Sequence, residues 1–167
     1  MRIRPEEPGD RAEVRVVNVA AFPTPAEADL VDALRAQARP LVSLVAEEDR
    51  AIVGHIMFSP VTLPGHPALA LMGLAPMAVT PARQRAGIGT ALVRAGLAAC
   101  RRLPADAVVV LGHPEYYPGF GFAPGVRSGL GCEYDVPAEV FMGLELRPGA
   151  LRGASGKVQY HGAFASL

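Results

Sequence analysis

The sequence predicts an α+β domain, with helices and strands mixed along one chain. Three stretches carry the expectation. Leu74 to Arg102 passes from an apolar strand through a glycine turn into a helix. Arg11 to Phe22 and Ala26 to Gln37 read as two amphipathic helices ahead of a strand hairpin. Ala107 to Leu111 is an apolar run of the length of a buried strand.

Length and composition bound the rest. A chain of 167 residues makes one domain, residues 1–167, with enough length for a sizeable core. Half of the residues are hydrophobic, which excludes a disordered chain. Lys and Arg number 16, Asp and Glu number 16, and the formal net charge is zero. A nucleic-acid partner would want a basic surface, so none is expected. No uninterrupted apolar stretch is long enough to span a bilayer, and MRIRPEEPGD lacks the apolar core of a signal peptide. Two cysteines, Cys100 and Cys132, make no disulfide framework. The expectation is a reduced, cytoplasmic protein with no membrane partner. Cys100, on an apolar helix, reads as a small core residue.

Met1 to Pro5 is expected as a first strand, and Glu6 to Asp10 as a turn with Pro8 and Gly9. In Arg11 to Phe22, Val14, Val17, Asn18 and Ala21 mark one helix face. Pro23 and Pro25 break that helix. Thr24 can cap the next one with Pro25 at its first position. That helix, Ala26 to Gln37, carries Ala28, Val31, Leu34 and Ala38 along one side. Leu41 to Glu47 and Ala51 to Pro60 form a hairpin around Glu48, Asp49 and Arg50. Val42, Leu44 and Ala46 alternate there with Ser43, Val45 and Glu47. His55 lies in the second strand and reads as a satisfied core histidine. His55 and His66 stand far from any Cys or Asp pattern, so no metal is expected. Val61 to Pro67 is a loop. Ala68 to Val79 is a long strand interrupted by Pro76, which cannot donate to a sheet ladder and marks a bulge or break.

The glycine turn carries Gln84, Arg85, Ala86, Gly87, Ile88 and Gly89. The helix beyond it has Ile88, Ala91, Leu92, Ala95, Ala99 and Leu103 at three- and four-residue spacing. The first turn of a helix offers unpaired N–H groups and the positive end of its dipole. Glycines let an anion approach those groups with no Cβ in the way. A P-loop fails, because Thr90 follows Gly89 and no Lys is present. A dinucleotide fingerprint is weak, because Leu92 stands at its third glycine. A third pattern, Q/R-x-x-G-x-G/A opening a helix after a strand, fits with Gln84, Gly87 and Gly89. With that pattern the chain resembles the GNAT superfamily of N-acetyltransferases.

A second element agrees. Tyr116 to Phe122, YYPGFGF, follows the Ala107 to Leu111 strand. Many members of the family carry a short helix here that ends in Phe-Tyr-x-x-x-Gly-Phe. Tyr117 falls on the tyrosine of that pattern, and Gly121 and Phe122 on its end. The wording HPEYYPGFGF after the strand, with LAPMAVTP before the loop, looks like a bacterial subfamily of predicted, mostly uncharacterised acetyltransferases. The resemblance is specific from about Gly73 to Phe122 and looser at both ends.

The resemblance implies a three-layer α/β/α sandwich, with helices on both faces of a mixed, mostly antiparallel sheet of about seven strands. It implies acetyl-CoA as co-substrate, its pyrophosphate gripped by Gln84, Arg85, Ala86, Gly87, Ile88, Gly89 and Thr90. Arg83 and Arg85 add positive charge beside that loop, as phosphate contacts or as solvated side chains. The pantetheine arm would enter where the strand holding Pro76 splays from the next one. Backbone groups of Met77, Ala78 and Val79 would bind the arm and the thioester carbonyl, with the Val79 N–H region as its polariser. Tyr117 would be the general acid, since a phenol with pKa near 10 keeps its proton at neutral pH. Tyr116 reads as packing. No Asp or Glu occupies the Pro76 strand, so the base stays open between His113, Glu115 and a water relay. Residues Phe22 to Asp29 are candidates for the acceptor wall.

After Phe122, Ala123 to Gly131 is rich in turns and Cys132 to Val136 reads as extended. Val140 to Leu146 is expected as a strand, Arg147 to Ser155 as a loop, and Lys157 to Tyr160 as a last strand. By resemblance this tail is the final hairpin of the sheet. The implied reaction moves an acetyl group to a primary amine by direct attack in a ternary complex. The acceptor, small molecule or protein, is not readable from the residues, and monomer and homodimer both stand. A non-catalytic acyl-CoA-binding sensor and an acetyltransferase regulating a protein target are the alternatives; the intact Tyr117 pattern counts against the first, the balanced charge against the second.

Overall fold

The computed structural model describes residues Met1–Leu167. Its strands are β1 (Arg2–Pro5), β2 (Val42–Glu48), β3 (Ala51–Val61), β4 (Leu71–Val79), β5 (Ala107–Leu111), β6 (Ala123–Pro124), β7 (Leu130–Cys132), β8 (Phe141–Glu145) and β9 (Gly156–Val158). Its α-helices are α1 (Arg11–Ala21), α2 (Ala26–Gln37) and α3 (Ile88–Arg102). Seven strands form one sheet in the order β1-β2-β3-β4-β5-β8-β6. Only β4 and β5 run parallel in it, joined by α3; the other neighbours are antiparallel. The expected seven-stranded mixed sheet is thus present.

Alternation decides which helix each strand residue meets. Val42, Leu44 and Ala46 of β2, with Ile56 and Phe58 of β3, join Leu92, Val93 and Leu97 of α3 in one core. Val45, Met57 and Ala78 face the other way, onto Val14 and Val17 of α1 and Leu30, Val31 and Leu34 of α2. Helices therefore cover both faces, the three layers that the resemblance implies. The hairpin turns at Asp49 and Arg50, both with positive φ. The start of α2 differs slightly from expectation. Pro25 sits before its first helical residue, and the Thr24 hydroxyl accepts from the Ala26 N–H at 3.3 Å.

Pro76 does what a proline in a strand must. Ile56 pairs with Met77 and Phe58 with Leu74, so Ala75 and Pro76 together oppose Met57. This is a β-bulge, and it shifts the phase of the strand. Met72 and Leu74 face α3, and after the bulge Met77 and Val79 do so. Pairing with β5 ends at Leu74 opposite Val110, while β4 continues along β3 to Val79. A gap opens between β4 and β5 at that point.

The tail departs from expectation. The partner of β8 is β6, not the last strand. Strand β9 pairs in parallel with β7 in a separate two-stranded sheet. Leu151, Ala154 and Val158 bury against Leu130 and Phe141, a third core at the sheet end, and that burial draws the chain away from the main sheet. The expected short helix after β5 is a single 3₁₀ turn, Tyr117–Phe120. Pro118 supplies no N–H, and Gly121 closes the turn at φ 103°.

Candidate functional site

The head of α3 is a run of free donors. The first helical bond is from the Ala91 N–H to the Gly87 carbonyl at 3.1 Å, and Gln84 N–H reaches Pro81 O. Between them, the N–H groups of Arg85, Ala86, Gly87, Ile88, Gly89 and Thr90 meet no acceptor in the chain. Arg85 has φ 62° and Gly87 φ 85°, so successive amides turn inward as an anion-binding nest. Gly87 is demanded by its own backbone. Gly89 is not, for its φ is helical and a Cβ there would sit an ordinary 3.5 Å from Met77 Cε and 3.7 Å from the Tyr116 hydroxyl. A helical glycine costs about 1 kcal/mol relative to alanine. Nothing inside the chain requires that cost.

The other loop residues divide by task. Gln84 donates its side-chain amide to Val79 O at 3.0 Å and ties the loop to the end of β4. Arg83 is held by Glu48 through two contacts of 2.8 Å, which pulls its guanidinium toward the β2–β3 hairpin. Arg85 makes no ion pair and stays exposed. The Ile88 side chain is core, packed with Leu92 against β2 and β3, so only its N–H faces the nest. Thr90 Oγ1 lies 3.0 Å from the Tyr116 hydroxyl. Tyr116 thus adjoins the nest, a position the sequence did not single out.

At the gap, backbone direction follows from pairing. Thr80 N–H donates to Val53 O at 2.8 Å. In an antiparallel ladder such bonded pairs alternate, so Ala78 bonds its partner His55, and the N–H and C=O groups of Met77 and Val79 face away from β3. They face the side that β5 has left. Ala78 differs from its neighbours: its backbone is engaged and its side chain is buried against α1 and α2.

Tyr117 reaches this gap from the far side. Its ring is buried, crosses Tyr116 and Phe122 edge to face, and lies on Gly112, where a Cβ would stand 2.2 Å from the ring. Burial, and secondarily Tyr116, pushes its pKa up to about 12, so it is fully protonated at neutral pH. A cavity of about 300 Å³ opens here, lined by Met77, Gly112, His113 and Tyr117 and, from the α1–α2 side, by Phe22 and Glu27. Glu115 is exposed and lines no part of it. Glu27 lies within the Phe22 to Asp29 segment expected as the acceptor wall, where the sequence did not single it out. Its Oε1 is buried with no hydrogen-bond partner. In sequence it reads as an ordinary first-turn helix acid, and only the packing of α2 over the gap marks it. Larger clefts of about 470 and 590 Å³ lie at Glu6–Arg35 and at Thr24–Gln37, away from the nest.

Residues outside the cleft are structural. His55 is buried between Asn18 and Ser43. Cys100 is buried, its thiol pushed up to about 12 by desolvation, and is no nucleophile. No group of three or more His, Cys, Asp or Glu side chains is arranged to hold a metal ion. No helix is long and apolar enough to cross a membrane.

The Acetyltransferase (GNAT) family model matches residues 11–116. An uncharacterized N-acetyltransferase of Escherichia coli K12, YhbS, is 34% identical over 165 residues, 98% of each chain. A crystal structure of Escherichia coli YhbS in complex with CoA superposes with a TM-score of 0.92, covering 98% of this chain and 91% of that one. A GNAT family acetyltransferase from Brucella melitensis, crystallised with acetyl-CoA, is 41% identical with a TM-score of 0.80, covering 98% and 97%. Another uncharacterized Escherichia coli K12 N-acetyltransferase, YjhQ, is 40% identical over 134 residues, 78% of this chain and 74% of that relative. A family match over more than half of the chain, joined to relatives alike along nearly all of it, means that this chain belongs to the GNAT family of acetyltransferases.

Proposed function

We propose that residues 1–167 act as one acetyl-CoA-dependent N-acetyltransferase domain that acetylates a primary amine by direct attack in a ternary complex. The carrying observation is the uninterrupted run of unpaired N–H groups from Arg85 to Thr90, next to the gap where β4 leaves β5. The relatives crystallised with CoA and acetyl-CoA support the choice of ligand. Bound there, acetyl-CoA supplies an activated acyl carbon.

The chain's own groups then divide the work. The N–H groups from Arg85 to Thr90 hold the pyrophosphate, with Arg85 as the free cation beside them and Gln84 bracing the loop. Met77 and Val79 offer backbone hydrogen bonds along the arm, and the Val79 N–H polarises the carbonyl. Tyr117 keeps a proton at the cavity and donates it to the sulfur side. His113, on the cavity wall, or a water there takes the proton from the amine. Two unpaired thiols, Cys100 and Cys132, agree with a reducing cytoplasm. The acceptor is a small amine, with a protein amine as the second reading.

The test is calorimetric titration with acetyl-CoA, followed by an amine panel scored by thiol release and mass shift. One-site binding and an acetyl mass increment on an amine are expected. Tight binding with no turnover on any amine would mean a non-catalytic acyl-CoA sensor instead.

A further inference from the structure

We infer that the acceptor is a primary monoamine with an apolar body, bound at Glu27 as the ammonium and losing one proton there to His113 or a water before it attacks, its body received by a cavity beyond Ala75. This rests on the transferase reading and adds the acceptor's chemistry to it.

The buried Oε1 of Glu27 has no partner. A buried acceptor left unmatched is costly, and a carboxylate is best matched by a cation. No Lys or Arg of the chain reaches it: the cations of the neighbouring helices, Arg15 and Arg35, are paired with Asp29, Asp32 and Glu6. The partner must come from outside. Glu27 shares its cavity with Met77 and Tyr117, so a cation there lies on the wall of the proposed reaction site.

A second cavity of about 290 Å³ adjoins the first, and the two share Leu74, Ala75, Leu111 and Leu167. Its remaining walls are Tyr134, Val136, Tyr160 and Phe164. The three aromatic rings pack in tilted pairs at centroid distances of 5.7 and 5.1 Å. No charged side chain lines it. The Tyr160 hydroxyl, buried and unpartnered, offers one hydrogen bond but no neutralising charge. A second ammonium on the acceptor would meet no charged side chain here, only the α-carboxylate of the half-exposed Leu167, which disfavours polyamines and aminoglycoside-like polycations. An alkyl or aryl body gains from the same walls.

The test titrates hexylamine, phenethylamine, ethylamine and 1,5-diaminopentane into the full chain saturated with CoA. Hexylamine and 1,5-diaminopentane differ chiefly in a terminal methyl against an ammonium. Hexylamine and phenethylamine should bind, and the diamine roughly 100-fold more weakly. Glu27→Gln should weaken hexylamine roughly 10- to 100-fold and leave CoA affinity unchanged. Val136→Phe should weaken phenethylamine and spare ethylamine, which decides the matter should Glu27→Gln not fold. If the parent does not bind CoA, the transferase reading falls and takes this one with it. If CoA binds but no amine does, or the diamine binds as tightly as hexylamine, or neither variant alters amine affinity, the acceptor inference is overturned and the transferase reading stands.

Discussion

Tyr116 and Tyr117 are adjacent in the chain, yet their hydroxyls serve different places. Tyr116 reaches Thr90 at the nest, and Tyr117 lines the cavity where β4 and β5 part. Tyr117→Phe keeps the ring on Gly112 and removes only the proton. A positioned general acid contributes ~10² to 10⁴-fold, about 3 to 5 kcal/mol of barrier. Steady-state kinetics should therefore show kcat falling by about that factor, with KM little changed. Tyr116→Phe should instead weaken CoA a few-fold and leave kcat near the parent. Equal turnover of Tyr117→Phe and parent in a chemistry-limited assay would remove the acid role. Desolvation of Tyr117 adds a pH signature: no alkaline loss of kcat from this group is expected below pH 10, since its pKa lies near 12. Of the candidate site residues, those carried by local pattern were legible in the sequence: the two glycines, Gln84 and Tyr117, whereas Tyr116 read as packing. Glu27 was legible only as one residue of the Phe22 to Asp29 segment, because its own meaning comes from α2 lying across a gap more than 40 residues downstream, and no local spacing encodes that.

At the scale of elements, one proline and two glycines make the cleft. Pro76 forces the bulge that releases β4 from β5, and Gly87 turns the chain so that α3 starts with its donors bare. These were readable because proline and glycine act locally. The pairing of β6 and β9 was not, because strands of two and three residues carry no periodicity, and their partners are set by burial of Val158 and Phe141. The two loop glycines call for different tests. Gly87→Val strains a backbone at φ 85°, so lost binding there confounds ligand and fold. At Gly89 the backbone is helical and a Cβ stands at ordinary contact distance, so Gly89→Val is the cleaner probe. It should leave the melting temperature close to the parent's and weaken acetyl-CoA at least ~10-fold by calorimetry, through the Cβ branch standing on the N–H groups. Unchanged affinity in a folded Gly89→Val would end the coenzyme A assignment. Arg85→Ala should weaken acetyl-CoA a few-fold and more at low salt, while Arg83→Ala, already satisfied by Glu48, should not.

At the scale of the whole molecule, a buried polar chain ties the α1–α2 layer to the sheet. The Ser43 hydroxyl donates to Glu6 at 3.0 Å, so it must accept from His55 Nε2–H at 2.9 Å. That fixes the His55 tautomer, and Nδ1 accepts from the Asn18 amide at 3.2 Å. Arg35 closes the chain on Glu6 at 2.6 Å. His55 is fully buried, and desolvation lowers its pKa from an ordinary 6.5 to about 4, opposed by Glu6 and aided by Arg35. The sign follows. The unfolded chain binds the proton from pH 6.5 downward and the folded chain does not until about pH 4, so the folded state loses stability across that window as pH falls. The loss amounts to up to about 3 kcal/mol, a large share of a typical domain's 5 to 15. Asp10, Glu48 and Asp106, whose pKa values are lowered by Arg4, Arg83 and by Ala70 with Arg147, act at more acid pH. Urea unfolding of the parent at pH 7.5, 6, 5 and 4.5 should show a steady fall. His55→Gln, neutral throughout, should be less stable at pH 7.5 because its fit is poorer, and its curve should stay flat over the same range. The two stabilities then converge as pH falls. Parallel curves would mean that His55 titrates alike in both states and that the histidine does not anchor the layer as a neutral ring.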